Sequence, residues 1–150
     1  AAQRDLGAAT RPAPGERPSL QVGALCWRRT SGGLIKILLI TSRDTGRWVI
    51  PKGWPIKGFA PHASAAREAF EEAGVGGIIG KGALGQYSYD KQIDGEASIA
   101  CDVDVFPLEV MIQHPSWPEQ GQRELRWFPR DDAAGAVQEP GLARLIRKLK

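Results

Sequence analysis

Runs of apolar positions broken by Gly, Pro and charged residues divide the chain into short strands and a few helices. Leu20 to Arg29 reads as a strand closed by two arginines, and Leu34 to Ser42 as a second. The turn signal Thr30-Ser31-Gly32-Gly33 between them predicts a hairpin. Trp48-Val49-Ile50 is a short third run, and Gly53, Pro55 and Gly58 make residues 53–60 a loop. Pro61 suits a first helical turn. The helix should run to about Ala73 and stop at Gly74, a good C-terminal cap residue. Strand-like patterns follow at 77–90 and 97–106, after which Pro107, Pro115 and Pro118 predict a loop. Glu124 to Phe128 reads as another strand, 132–137 as a short helix capped by Asp131 and Asp132, and Gly141 to Lys150 as a basic terminal helix. Strands before, between and after helices predict an α/β fold, a mixed β-sheet with helices packed on it. Residues 1–19, rich in Ala, Pro, Gly and Arg without periodicity, predict a flexible N-terminal arm ahead of one domain over 20–150.

The 150 residues suffice for one domain with a real core. A hydrophobic share of 42% with 25% charged residues excludes a wholly disordered chain and a membrane bundle. The run Ile37-Leu38-Leu39-Ile40 is far too short to span a bilayer. With no secretory pattern at the start either, a cytoplasmic protein without a membrane partner is expected, as a monomer or homodimer. The net charge of +3 and pI near 9.1 permit an anionic ligand. They disfavour nucleic acid, which calls for a denser basic stripe. Cys26 and Cys101 lack metal-site spacing and are expected to be buried, reduced thiols.

Candidate chemistry sits on the helix at 61–73. On a wheel of 100° per residue, Ala63, Ala65, Ala66, Ala69, Phe70 and Ala73 share a broad arc, the predicted packed face. Glu68, Glu71 and Glu72, spaced i, i+3, i+4, are expected together on the opposite side. Like charges at this spacing destabilise a helix, and acids near its C-terminal end oppose its dipole. Arg67 can pair with Glu71, but one cation cannot neutralise three carboxylates. A hard divalent cation such as Mg²⁺, which takes oxygen ligands, can. The alternative is a solvated acidic face.

The framing residues decide between the two. Gly53, Arg67, Glu68, Glu71, Glu72 and Gly74, with Ala69 and Val75 at apolar positions, resemble the Nudix box G-x5-E-x7-R-E-U-x-E-E-x-G-U, where U is apolar. Six fixed residue types at average usage would coincide by chance on the order of once in 10⁷ starting points. One position departs: Phe59 stands where the first box glutamate falls, and it is expected to pack under the loop. The resemblance implies a Nudix-type α/β/α sandwich and hydrolysis of a phosphoanhydride in a nucleoside diphosphate linked to another group. It implies Mg²⁺, with Mn²⁺ as a substitute, held by Glu68 and Glu72. Glu71 would be a further ligand or the base, and the Lys52 carbonyl another ligand. It further implies that Arg67 orients the glutamates and that Gly53 and Gly74 serve backbone geometry.

Thr41-Ser42-Arg43, Arg47-Trp48, Pro51 and Arg123 with Trp127-Phe128 resemble the diphosphoinositol polyphosphate phosphohydrolase branch. Its members also cleave dinucleoside polyphosphates. Thr41, Ser42, Arg43 and Arg123 match phosphate-contacting positions there, whereas other basic contacts fall on Gln92 and Gly95. Arg47 and Lys52 join this set of substrate-binding candidates. Lys57, Arg126 and Arg130 add to the charge expected around one mouth, which argues for a polyphosphorylated small molecule as partner. A non-hydrolysing nucleotide sensor, a hydrolase of nucleotide sugars or nucleoside triphosphates, and an RNA 5′-end pyrophosphohydrolase are the alternatives. Tyr87, Tyr89 and Trp117 either stack on a base or pack in the fold. Trp48, Trp127 and Phe128 are assigned to core or groove floor, and His62 and His114 to the surface. Asp94, Glu96 and Glu119 are loop acids that could add a ligand or base.

Overall fold

A computed structural model describes residues 19–95 and 97–150. Of the arm expected over 1–19, residues 1–18 lie outside the described residues, as does the loop acid Glu96, while Ser19 already opens the first strand. Strands β1 (Ser19–Arg29) and β2 (Ile35–Thr41) form the expected hairpin, with Trp27 opposite Ile37. The two-residue strands β3 (Trp48–Val49) and β4 (Lys52–Gly53) pair antiparallel with β2 and β1 respectively. Helix α1 (Pro61–Ala73) leads into β5 (Val75–Ile79), β6 (Gly85–Asp94) and the long β7 (Ala97–Gln113), then β8 (Leu125–Pro129), α2 (Arg130–Ala136) and α3 (Pro140–Lys148).

These strands form a single mixed sheet whose central path runs β3-β2-β1-β7-β5. β1 lies parallel to β7 over Ser19–Trp27, and the other pairings are antiparallel. Because successive side chains point to opposite faces, each inner strand feeds two cores. Val22, Ala24, Cys26, Leu38, Ile40, Phe106 and Leu108 pack with Ala65, Ala69 and Ala73 of α1. Leu25, Ile37, Leu39, Val103 and Val105 pack with Leu142, Leu145 and Ile146 of α3 and Ala133 and Ala134 of α2 on the other face. The result is an α/β/α sandwich. Cys26 and Cys101 are buried free thiols, and burial pushes the Cys26 thiol up to about 12.

Three expectations are corrected. The 77–90 pattern is two strands, separated by a crossing at Gly80–Leu84. Pro107 does not end its strand, because β7 continues to Gln113. Its carbonyl accepts the Gly80 N–H at 2.8 Å, so its missing N–H falls where β5 gives way to β6 and costs no ladder bond. Phe59 is 47% exposed and not packed under its loop.

Candidate active site

Helix α1 ends where the sequence says it should. Gly74 adopts φ 72°, a left-handed conformation open to glycine, and its N–H caps the Phe70 carbonyl at 2.9 Å. A Cβ there would collide with the Trp117 ring. Trp117 therefore packs on the helix end and is not among the residues lining the cleft.

Glu68 and Glu72 do not lie opposite the packed alanines, where the wheel set them. Glu68 and Glu72 are only 5% and 7% exposed and share the buried side of α1 with Ala65 and Ala69. They turn inward because β4 crosses over them. A Cβ on Gly53 would stand 2.6–2.7 Å from the Glu68 carboxylate, so only a residue without a side chain allows this approach. The Lys52 N–H donates to Glu72 Oε1 at 3.2 Å. Glu71 is more exposed and pairs with Arg67 at 2.8 Å. Burial pushes the Glu72 carboxyl up, while Arg123 and Lys52 pull it down. The Lys52 ammonium is pushed down by burial, against the pull of Glu72, and lies 4.8 Å over the Tyr89 ring.

Arg123, with 9% of its side chain exposed, closes the site from the β8 side. Its Nε meets Glu119 Oε1 at 3.0 Å, its Nη1 donates to the Thr41 carbonyl at 3.1 Å, and its Nη2 lies 3.7 Å from Glu72 Oε2. Arg43 donates to Gln122 Oε1 at 2.8 Å on the exposed rim.

Around these groups lies a cleft of about 500 Å³. Ser42, Arg43, Arg47, Lys52, Gly53, Glu68, Glu71, Glu72 and Arg123 all line it, as do Tyr87 and Tyr89. Thr41, Arg67 and Gly74 do not line it. The Thr41 hydroxyl accepts the Glu124 N–H at 2.8 Å and its carbonyl serves Arg123. Lys57, Arg126 and Arg130 are also absent from the lining, which corrects the expectation of one large basic mouth. Arg126 lies over Trp48 and Phe128, and Arg130 donates to the Leu149 carbonyl. Of the loop acids, Glu119 reaches the cleft and Asp94 does not. His62 and His114, both expected at the surface, are half-buried, and His114 packs edge-on against Phe70. Sequence reasoning missed Gln21, Trp54 and Glu139, which reach the cleft from three separate segments without local spacing to mark them.

Acidic side chains outnumber basic ones in this lining, so an anion entering alone meets net repulsion. Among the described residues, no three His, Cys, Asp or Glu side chains form a ready metal cluster, and Glu71 and Glu72 pair with Arg67 and Arg123. The donor chemistry nevertheless fits a hard divalent cation. Two buried carboxylates flank the Lys52–Gly53 backbone, and the space beside Gly53 is kept clear of any Cβ.

Comparison with known proteins gives an independent line. The NUDIX domain family matches residues 18–149. Nudix hydrolase 21, chloroplastic, of Arabidopsis thaliana is 34% identical over 114 residues, covering 75% of this chain and 55% of that protein. Diphosphoinositol polyphosphate phosphohydrolase 3-beta of Bos taurus is 29% identical over 134 residues, 87% of this chain and 77% of that one. A C. elegans Ap4A hydrolase crystal structure superposes with a TM-score of 0.59 at 20% identity, covering 88% of this chain and 96% of that one. The chain spans about half the length of the plant relatives it matches, 55% and 49% for two of them. No helix among the described residues is long and apolar enough to cross a membrane.

Proposed function

Because the chain belongs to the Nudix family, we propose that it is a Mg²⁺-dependent pyrophosphohydrolase that cleaves a phosphoanhydride bond in a polyphosphorylated small molecule. Diphosphoinositol polyphosphates and dinucleoside polyphosphates are the substrate classes it best suits. The observation that carries this reading is the pair of buried carboxylates, Glu68 and Glu72, folded over the Lys52–Gly53 backbone. Two carboxylates buried side by side on one helical face repel each other, and a divalent cation between them would offset that repulsion. The excess of acids in the cleft points the same way, since a polyphosphate needs accompanying cations to enter.

Glu68, Glu71, Glu72 and the Lys52 carbonyl would hold Mg²⁺, or Mn²⁺ in its place. Such an ion would supply positive charge against the phosphates and make water a better nucleophile at neutral pH. The rest of the work falls to side chains. Arg43 and Arg47 on the exposed rim, with Ser42 and Lys52, receive the phosphates, where guanidinium groups suit bidentate capture. Arg67 holds Glu71 in place, and Glu71 serves either as a further metal ligand or as the base that takes the proton of the attacking water. Phosphoryl transfer needs little beyond this alignment and charge neutralisation.

The test is phosphate release from purified protein offered diphosphoinositol polyphosphates, dinucleoside polyphosphates, ADP-ribose, nucleotide sugars and nucleoside triphosphates, with Mg²⁺ and with EDTA. Turnover of one of the first two classes, lost in EDTA, is expected. Binding without release by any of them would make the chain a sensor and refute the reading.

A further inference from the structure

Arg123 resembles a phosphate-contacting position, yet its surroundings assign it another task. We propose that Arg123 is a positioning residue that clamps the Glu72 carboxylate against the Lys52 backbone, and that it does not bind substrate phosphate. The inference rests on the reading of Glu72 as a metal ligand.

The guanidinium is planar, and two of its nitrogens are anchored on different elements. Nε is fixed by Glu119 at 3.0 Å and Nη1 by the Thr41 carbonyl at the end of β2 at 3.1 Å. A planar fork held at two points cannot turn, so Nη2 is aimed at Glu72 Oε2, 3.7 Å away. That separation is longer than a hydrogen bond, so the attraction holds the carboxylate without occupying that oxygen fully. On the far side, Glu72 Oε1 accepts the Lys52 N–H at 3.2 Å. The carboxylate is thus held from both ends.

The anchors are themselves tied down. The Glu119 N–H donates to the Glu71 carbonyl at 3.0 Å, so the loop carrying Glu119 is bonded to the last turn of α1. Thr41 and Glu124 exchange two bonds, Thr41 N–H to the Glu124 carbonyl at 3.0 Å and Glu124 N–H to Thr41 Oγ1 at 2.8 Å. Arg123 therefore sits between two pinned neighbours with its side chain 9% exposed, while Arg43 and Arg47 remain exposed on the rim. A lysine, with one compact ammonium on a flexible stem, cannot bridge Glu119, Thr41 and Glu72 together.

The experiment compares wild type, Arg123→Ala and Arg123→Lys in two assays. The first is steady-state hydrolysis of the best substrate with Mg²⁺, and the second is thermal melting in EDTA followed by titration with Mn²⁺ alone. For Arg123→Ala, kcat should fall about tenfold or more with KM unchanged, because a displaced ligand spoils alignment and not substrate binding. The Mn²⁺ concentration that half-saturates the melting shift should rise about tenfold, as when a group supporting a metal ligand is lost. Arg123→Lys should keep the wild-type KM and recover kcat only in part. A raised KM with kcat retained would reveal a direct phosphate contact and overturn the proposal. So would a lower melting point in EDTA with kcat and the Mn²⁺ midpoint unchanged, the mark of a purely structural role. If Arg123→Ala does not fold, the Mn²⁺ midpoint of Arg123→Lys decides in the same way. If the wild type hydrolyses none of the substrates, the functional reading fails by itself. The Mn²⁺ titration still judges Arg123: a raised midpoint supports the clamp and an unchanged one, or no Mn²⁺ shift in the wild type, refutes it.

Discussion

Replacing Gly53 by alanine isolates the chemistry of the site from the stability of the fold. The new Cβ would lie 2.6 Å from Glu68 Cδ and 2.7 Å from each carboxylate oxygen. Ordinary carbon contacts sit near 3.5 Å, so the carboxylate must retreat by about 1 Å. The atoms in the way are the far end of a flexible side chain and not backbone. The structural cost is therefore that of mild overpacking, about 1–2 kcal/mol, or roughly 2–8 °C in Tm for a domain of this size. The functional cost is far larger, because that same carboxylate is a proposed metal ligand. A displacement of about 1 Å at a reacting centre costs about a hundredfold in rate. The assays are thermal melting and kcat for Mg²⁺-dependent phosphate release. Adding Glu68→Asp to Gly53→Ala shortens the acid by one methylene and should recover much of the lost Tm without recovering kcat, a non-additive pair expected of groups in contact. Gly53→Ala with wild-type kcat would refute the reasoning, since it would mean that the Glu68 carboxylate can move without consequence.

Glu72→Gln should abolish turnover and leave the melting temperature in EDTA equal to or above wild type, because the amide removes a buried charge that the fold must desolvate. Gly74→Ala should lower stability by more than about 2 kcal/mol, combining a left-handed φ with a clash against the half-buried Trp117 ring; a Tm loss under 2 °C would contradict the cap. Cys26, raised in the folded state by burial and by Glu72 to about 12, should be inert to thiol reagents at pH 8. Between the ordinary thiol range near pH 9 and pH 12 the folded state keeps a proton that the unfolded state has lost, so stability falls as pH rises, by up to about 1.4 kcal/mol per unit from this group. The slope of urea midpoint against pH in that window should be shallower in Cys26→Ala, and an unchanged slope would assign alkaline unfolding to other groups.

Local chemistry made much of this fold legible. Pro61 and Gly74 bound α1 because one has a preset φ and the other tolerates a positive one, and neither property depends on distant residues. The hairpin of β1 and β2 is equally local. Pattern reasoning failed where neighbours far along the chain decide. Pro107 reads as a breaker until β5 and β6 are seen to leave a gap beside it. The wheel set Glu68 and Glu72 opposite the packed alanines, yet both share the buried side of α1 with Ala65 and Ala69, because β4 folds back over the helix there. Phe59 read as buried because it is large and apolar, yet no element packs over it sufficiently to cover it.

The box spacing locates the carboxylates but not the cations that answer them. Arg67 is one helical turn from its partner and could be paired with Glu71 by counting. Arg123 lies 51 positions after Glu72, and its reach to that carboxylate depends on the Thr41–Glu124 exchange and on the Glu119 loop bonding to α1. These contacts unite the end of β2, the last turn of α1 and the approach to β8 around one carboxylate. The consequence is that residues outside the box, distant from it along the chain, fix how Glu72 is held. Differences in activity between chains sharing the box are therefore to be sought in this lacing as well as in the cleft rim.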